Sequence, residues 1–205
     1  MKDLIIAVAD GYQEKVMEAL LPRVPLSSGT RPFSYDIIKN PLHDPGSYSD
    51  SQELLRSSIK QYRYALIIFD FEGTGVEELS NHQITSAVSG LLNSNGWMDR
   101  NAVIVIEPEL ENWMWIDNRN VELAIGWTRP ESLYDWARVK GYLEGTATKP
   151  VRPKEVLEEA LKISETSKSA SIYKKIASSV SYNKCEDPAL KKLINQLIEW
   201  FPPDT

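Results

Sequence analysis

The sequence predicts an α/β protein with a mostly parallel four-stranded sheet flanked by helices and a helical C-terminal extension. Three observations lead there. Uninterrupted apolar runs recur at residues 4–9 (LIIAVA), 65–69 (ALIIF) and 102–106 (AVIVI), the pattern of strands buried on both faces. Segments with helical spacing separate them, as right-handed βαβ units require. Beyond residue 107 the strand pattern ceases and only helical segments follow.

In order, residues 4–9 form the first strand; the run is too short for the apolar core of a secretory signal. Asp10-Gly11 ends it. Residues 14–21 have helical spacing, with Val16, Leu20 and Leu21 on one side, and Pro22 and Pro25 are expected to stop that helix. A second strand is predicted at 33–38 and a polar loop at 40–50 (NPLHDPGSYSD). Asp50 or Ser51 is expected to cap a helix running to about residue 62. The third strand ends at Asp70, a glycine-containing turn at 72–75 leads into a helix at 76–92, and the fourth strand ends at Glu107. Helices are then predicted at 109–116, 120–125, 130–144, 153–164, 169–178 and 188–200. The segment 145–153 (GTATKPVRP) reads as a linker between an α/β domain at 1–148 and a helical extension at 149–205. Leu157, Leu161, Ile172, Ile176, Leu193 and Leu197 give the extension apolar faces that pack on the domain.

A chain of 205 residues can bury one sizeable core without disulfides or metals. No apolar run approaches the roughly 18 residues of a membrane span. The single cysteine, Cys185, excludes an internal disulfide, suits a reducing cytoplasm and reads as a small buried filler. The net charge is −6, divided as −8 over residues 1–148 and +2 over 149–205. An acidic body repels phosphate, so a nucleic-acid role requires metal ions over the carboxylates or a basic partner.

Three strand ends carry carboxylates: Asp10 with Glu14 four residues on, Asp70 with Glu72, and Glu107 followed by Glu109 and Glu111. Ligands of parallel sheets bind at this C-terminal edge. Residues i and i+2 of an extended segment point the same way, so Asp70 and Glu72 are expected to face one spot. Asp10 and Glu14 stack on one side of a helix start. Converging carboxylates suit Mg²⁺ or Mn²⁺, with Asp10, Asp70, Glu72 and Glu109 as candidate ligands and either Glu109 or Glu111 holding a second ion or orienting an attacking water. Taken singly, each acid is slightly better explained as a helix cap, and Pro108 with Glu109 suits that plainer reading. The grouping over three strand ends favours a functional reading of Asp10, Asp70 and Glu72.

These residues resemble the TOPRIM-like fold of topoisomerases, primases and overcoming-lysogenization-defect nucleases. Asp10-Gly11 stands where that fold has Glu-Gly, and Asp70-Phe71-Glu72 where it has Asp-x-Asp. More specifically, the chain resembles the small TOPRIM-like component of bacterial methylation-associated anti-phage defence systems. Asp44-Pro45-Gly46-Ser47-Tyr48, Asn95-Gly96-Trp97, Pro108-Glu109-Leu110-Glu111, Trp113-Met114-Trp115, Arg152-Pro153-Lys154-Glu155 and Trp200-Phe201-Pro202 carry that likeness over nearly the whole length. The resemblance implies a defence role: a Mg²⁺-dependent nuclease acting on DNA or RNA, or a non-catalytic assembly subunit retaining the fold. Its expected partners are other defence proteins, an ATPase among them. A stand-alone phosphohydrolase is the third alternative.

Trp97, Trp113, Trp115, Trp127 and Trp136 could stack on nucleobases, but tryptophans in amphipathic segments are more often packing anchors, the reading favoured here. Lys149, Arg152 and Lys154 could hold a phosphate beside the acids or simply solvate the linker. His43 beside Asp44 could act as base or ligand, although a lone loop histidine is usually exposed; His82 carries no role. Gly73 and Gly75 lack the lysine of a phosphate loop.

Overall fold

The computed structural model describes residues 1–116 and 118–203. Its strands are β1 (Lys2–Val8), β2 (Tyr35–Lys39), β3 (Tyr62–Asp70) and β4 (Asn101–Ile106). The helices are α1 (Gly11–Leu20), α2 (Val24–Ser28), α3 (His43–Ser49), α4 (Ser51–Leu54), α5 (Asn81–Leu92), α6 (Asn118–Ile125), α7 (Leu133–Val139), α8 (Pro153–Ile163), α9 (Ala170–Ser179) and α10 (Pro188–Trp200). The sheet has the order β2-β1-β3-β4, and every pairing is parallel. The predicted fold class is therefore the observed one.

Period-two alternation divides the strand residues between two apolar layers. Leu4, Ile6, Val8, Leu66, Ile68, Ile104 and Ile106 face α1 and the C-terminal helices. Ile5, Ala7, Ala65, Ile67, Val103 and Val105 face α5, whose Ile84, Val88 and Leu92 recur at helical spacing. Each aliphatic side chain buried this way is worth about 1.5–3 kcal/mol. The outer edge of β4 is closed by side chains: Lys192 Nζ donates to the Val103 carbonyl at 2.9 Å and Asn81 Nδ2 to that of Val105 at 3.1 Å.

Several local expectations are corrected. Helix α1 does end at Leu20, before Pro22 as expected, but the chain does not leave helical structure: a 3₁₀ turn (Leu21–Arg23) and α2 follow, each proline sitting in a first turn, where no intrahelical N–H is needed. The segment expected to be loop at 40–50 contains α3, and the long helix expected to run to residue 62 shrinks to α4 and a 3₁₀ turn (Arg56–Ser58). Helix α5 begins at Asn81 rather than 76, because Ser80 and Gln83 form a reciprocal capping box. The helix expected at 109–116 is a 3₁₀ turn (Leu110–Trp113), and that expected at 130–144 is α7, capped by Ser132.

Helices α8, α9 and α10 complete one apolar core with the sheet. Leu157, Leu161, Ile176, Leu193 and Leu197 are buried and Ile172 half-buried in the cluster that holds Leu4, Ile6 and Val8. Truncation after Thr148 is accordingly expected to give a fragment without a cooperative thermal transition. A fragment 1–148 that melts sharply in circular dichroism would show the extension to be dispensable.

Candidate functional site

The chain leaves β1 and β3 toward opposite edges of the sheet: β2 lies beside β1, and β4 beside β3. The C-terminal ends of the two central strands thus form a topological switch point, where α/β sheets bind their ligands. Asp10 and Asp70 stand there.

Asp10 is the N-cap of α1; its Oδ1 accepts the N–H groups of Tyr12 at 2.8 Å and Gln13 at 2.9 Å. The plainer capping role is thus filled by one oxygen, and among the described residues Oδ2 accepts no hydrogen bond. Buried Gln13 joins the two strand ends. Its Oε1 accepts the Ala9 N–H at 2.9 Å, which turns its amide nitrogen toward Asp70 Oδ1, also at 2.9 Å. The Asp70 N–H donates to Asp44 Oδ1 at 2.9 Å, bringing in a carboxylate from α3. Burial pushes the Asp70 carboxyl well above the usual carboxylate range. The negative fields of Asp44, Glu111 and Asp10 add to that rise, and the Leu110 N–H opposes it. Asp44 is raised in the same direction by burial and by Asp10, against the Asp70 N–H.

The segment after β4 supplies a second group of acids. Glu109 is buried; its Oε1 accepts the Lys154 N–H at 3.3 Å, in the first turn of α8, and its Oε2 accepts Lys154 Nζ at 3.1 Å. Burial and the field of Glu111 raise its carboxyl, against the pull of Lys154. Burial would lower the Lys154 ammonium, but the hydrogen bond and field of Glu109, with Glu111 and Asp70 behind it, hold it above the usual lysine range. Glu111 is also buried and accepts the hydroxyl of Tyr173, from α9. Tyr173 in turn packs against Tyr12, with ring centroids 4.6 Å apart.

Not every predicted residue joins this group. Glu14 pairs with Lys39 at 3.6 Å instead. Glu72 is exposed: after Asp70 the chain turns, with Gly73 at φ 97°, so the extended geometry that would align Glu72 with Asp70 is lost. Its charge reaches the site only as a field on Glu109. Asp44, Gln13 and Tyr173 are the members missed as candidates from the sequence. In the sequence Asp44 stands out as a neighbour of His43 and within the stretch 44–48 that carries the resemblance, without a site role of its own; His43 is exposed, at φ 55°.

The cationic and glycine-rich candidates are occupied within the chain. Lys149 lies 3.8 Å from Asp187, Arg152 3.5 Å from Glu155, and Lys154 on Glu109. The N–H groups of Gly73 and Gly75 converge on Glu77 Oε1 at 2.8 and 3.1 Å, filling the turn with the chain's own carboxylate. Trp113 and Trp115 are buried anchors, their indole N–H groups bonded to Asp187 at 3.0 Å and to the Pro153 carbonyl at 3.1 Å. Cys185 is buried, and burial raises its thiol.

Comparison with family models, with curated proteins and with solved structures finds no match. The site must therefore be judged on its own chemistry. Its all-oxygen donors suit Mg²⁺ or Mn²⁺, and burial together with neighbouring acids raises the carboxyls of Asp70 and Asp44. The arrangement is not preformed: among the described residues no three histidine, cysteine or carboxylate side chains are grouped to hold an ion. Asp10 and Asp70 come together across Gln13, Glu109 is held by Lys154, and Glu72 stands apart.

Proposed function

We propose that the pocket centred on Asp70 is the active site of a Mg²⁺- or Mn²⁺-dependent, TOPRIM-like phosphodiester hydrolase. Its substrate would be DNA or RNA, and its setting a bacterial anti-phage defence complex in the cytoplasm, with other defence proteins, an ATPase among them, as partners. The observation that carries this reading is the crowding of Asp10, Asp44 and Glu111 around Asp70 at the switch point, where among the described residues no cation forms an ion pair with Asp70 and Lys154 acts on it only as a field. Such strongly perturbed carboxyls concentrate at functional sites. Asp10, Asp44, Asp70 and Glu111 would hold the ion, which when bound would polarise a phosphoryl oxygen and activate water. Gln13 orients the Asp70 carboxyl. Lys154, 45% exposed at its side chain, is placed to meet a phosphate oxygen by exchanging its bond to Glu109. No described helix is long and apolar enough to cross a membrane.

The second reading, a non-catalytic assembly subunit, is favoured by a specific observation: Lys149, Arg152 and Lys154 are all neutralised by carboxylates, leaving no free cationic track beside the pocket. Calorimetric titration with MnCl₂ and cleavage assays on single- and double-stranded DNA and RNA separate the two. Hydrolase function predicts saturable Mn²⁺ binding that is lost in Asp44→Asn and Glu111→Gln, together with cleavage that needs the ion. Wild-type protein that neither binds Mn²⁺ nor cuts any of these substrates would decide for assembly.

A further inference from the structure

At the end of α1 opposite Asp10, a cleft of about 250 Å³ opens between the 21–28 segment and the residues that join α9 to α10. Two cations line it, Arg23 and Lys184, and no acidic residue does. This is unusual in a chain of net charge −6. The Arg23 guanidinium is fixed by its own fold: Nη1 donates to the Ala177 carbonyl at 2.9 Å, Nη2 to that of Val180 at 2.8 Å, and its centre lies 5.1 Å from the Tyr182 ring centroid. Among the described residues neither Arg23 nor Lys184 is paired with a carboxylate. The cations at 149–154, by contrast, are all so paired. Ser27 and Ser181 add hydroxyls to the lining. Tyr182 and Ile194 also line a neighbouring cavity of about 150 Å³, together with Cys185, Leu190, Lys191 and Asn195.

We infer that this cleft binds a small phosphate-bearing molecule, its phosphate between Arg23 and Lys184 and its body along Tyr182 and Ile194. The remaining N–H groups of a preset guanidinium, the Lys184 ammonium and the Ser181 hydroxyl supply donors for the several oxygens of a phosphate, which a single carboxylate would leave partly unused. The neighbouring cavity, of mixed polar and apolar lining, gives the rest of the ligand somewhere to lie, and the two cavities together approach the size of ordinary small-molecule sites. The site is separate from the acidic pocket and does not depend on the hydrolase reading.

Calorimetric titration of the full chain with adenosine monophosphate, inorganic phosphate and adenosine tests it. Adenosine monophosphate is expected to bind more tightly than inorganic phosphate, and adenosine not at all. Lys184→Gln and Ser181→Asp alter only the rim; each should weaken adenosine monophosphate about tenfold, the value of one charge-assisted contact, without lowering the melting temperature. Arg23→Lys keeps the charge but loses the fork and should also weaken binding. Adenosine binding as tightly as its monophosphate, rim variants binding like wild type, or wild type binding neither phosphate probe would each overturn the inference.

Discussion

Asp70→Asn is expected to abolish ion-dependent cleavage while raising the melting temperature. The substitution preserves shape, and the amide oxygen can still accept from Gln13 Nε2, now 2.9 Å from Asp70 Oδ1. It removes a charge that burial and the fields of Asp44, Glu111 and Asp10 all disfavour. The sign follows from linkage. A carboxyl whose folded value stands above its ordinary 3.8 binds its proton more tightly when folded. Stability therefore falls as pH rises from that ordinary value through the folded one, and stays low above it. Asparagine escapes the decline, so variant and wild type should melt alike in acid and diverge toward neutral pH. For a chain of this size each kcal/mol of relieved repulsion is worth about 2–4 °C. A helix-capping carboxylate would behave oppositely, costing about 1 kcal/mol on removal. Melting curves across pH, with cleavage assayed alongside, check both halves. An Asp70→Asn protein that melts below wild type at neutral pH would refute the crowding argument. One that cleaves at the wild-type rate would refute the catalytic assignment.

How far the molecule was legible from its sequence depended on how each feature is made. Strands β1, β3 and β4 were plain because burial on both faces leaves continuous apolar runs, whereas β2, half-buried along most of its length, marked itself only to within two residues. Helix ends were less legible. Pro22 and Pro25 mark the end of α1 but also open the short helical pieces that follow it, and the start of α5 is set by a serine–glutamine box that a longer apolar pattern obscured. Asp10 and Asp70 could be found because each stands at the C-terminal end of a central strand, so the sheet alone brings them together. Asp44 could not: it reaches Asp70 because the β2-to-β3 connection carries α3 past the end of β3, a route that spacing does not encode. Gln13 had a weak signal, three residues after Asp10 in a first helical turn, where its side chain can reach back to the strand end. Glu72 was misplaced by assuming that the chain stays extended beyond Asp70, when Gly73 takes it into a turn.

Asp187→Ala is expected to be among the most destabilising single substitutions, although Asp187 lies in no predicted site. Its carboxylate is only 3% exposed and serves two elements at once. Oδ1 caps α10 by accepting the N–H groups of Ala189 at 3.0 Å and Leu190 at 3.1 Å, and it also accepts Trp113 Nε1 at 3.0 Å. Oδ2 accepts the side-chain amide of Asn112 and lies 3.8 Å from Lys149 Nζ. Alanine forfeits a cap worth about 1 kcal/mol and strands the indole N–H of a tryptophan that is 1% exposed, at a further cost of about 1–3 kcal/mol. A total loss of about 3 kcal/mol lowers the melting temperature by about 6–12 °C. Asp187→Asn keeps an acceptor for the cap and for Trp113 but sets its amide against that of Asn112, so it should fall between wild type and alanine. The consequence reaches the acidic pocket, because Asn112 and Trp113 belong to the turn that carries Glu109 and Glu111 to Asp70. Asp187→Ala should therefore also weaken Mn²⁺ binding in protein that remains folded at low temperature. Calorimetric melting and Mn²⁺ titration of the same samples make the comparison. A variant that melts with wild type would mean that the turn is held by packing alone, and unchanged Mn²⁺ affinity in a destabilised variant would uncouple this anchor from the pocket.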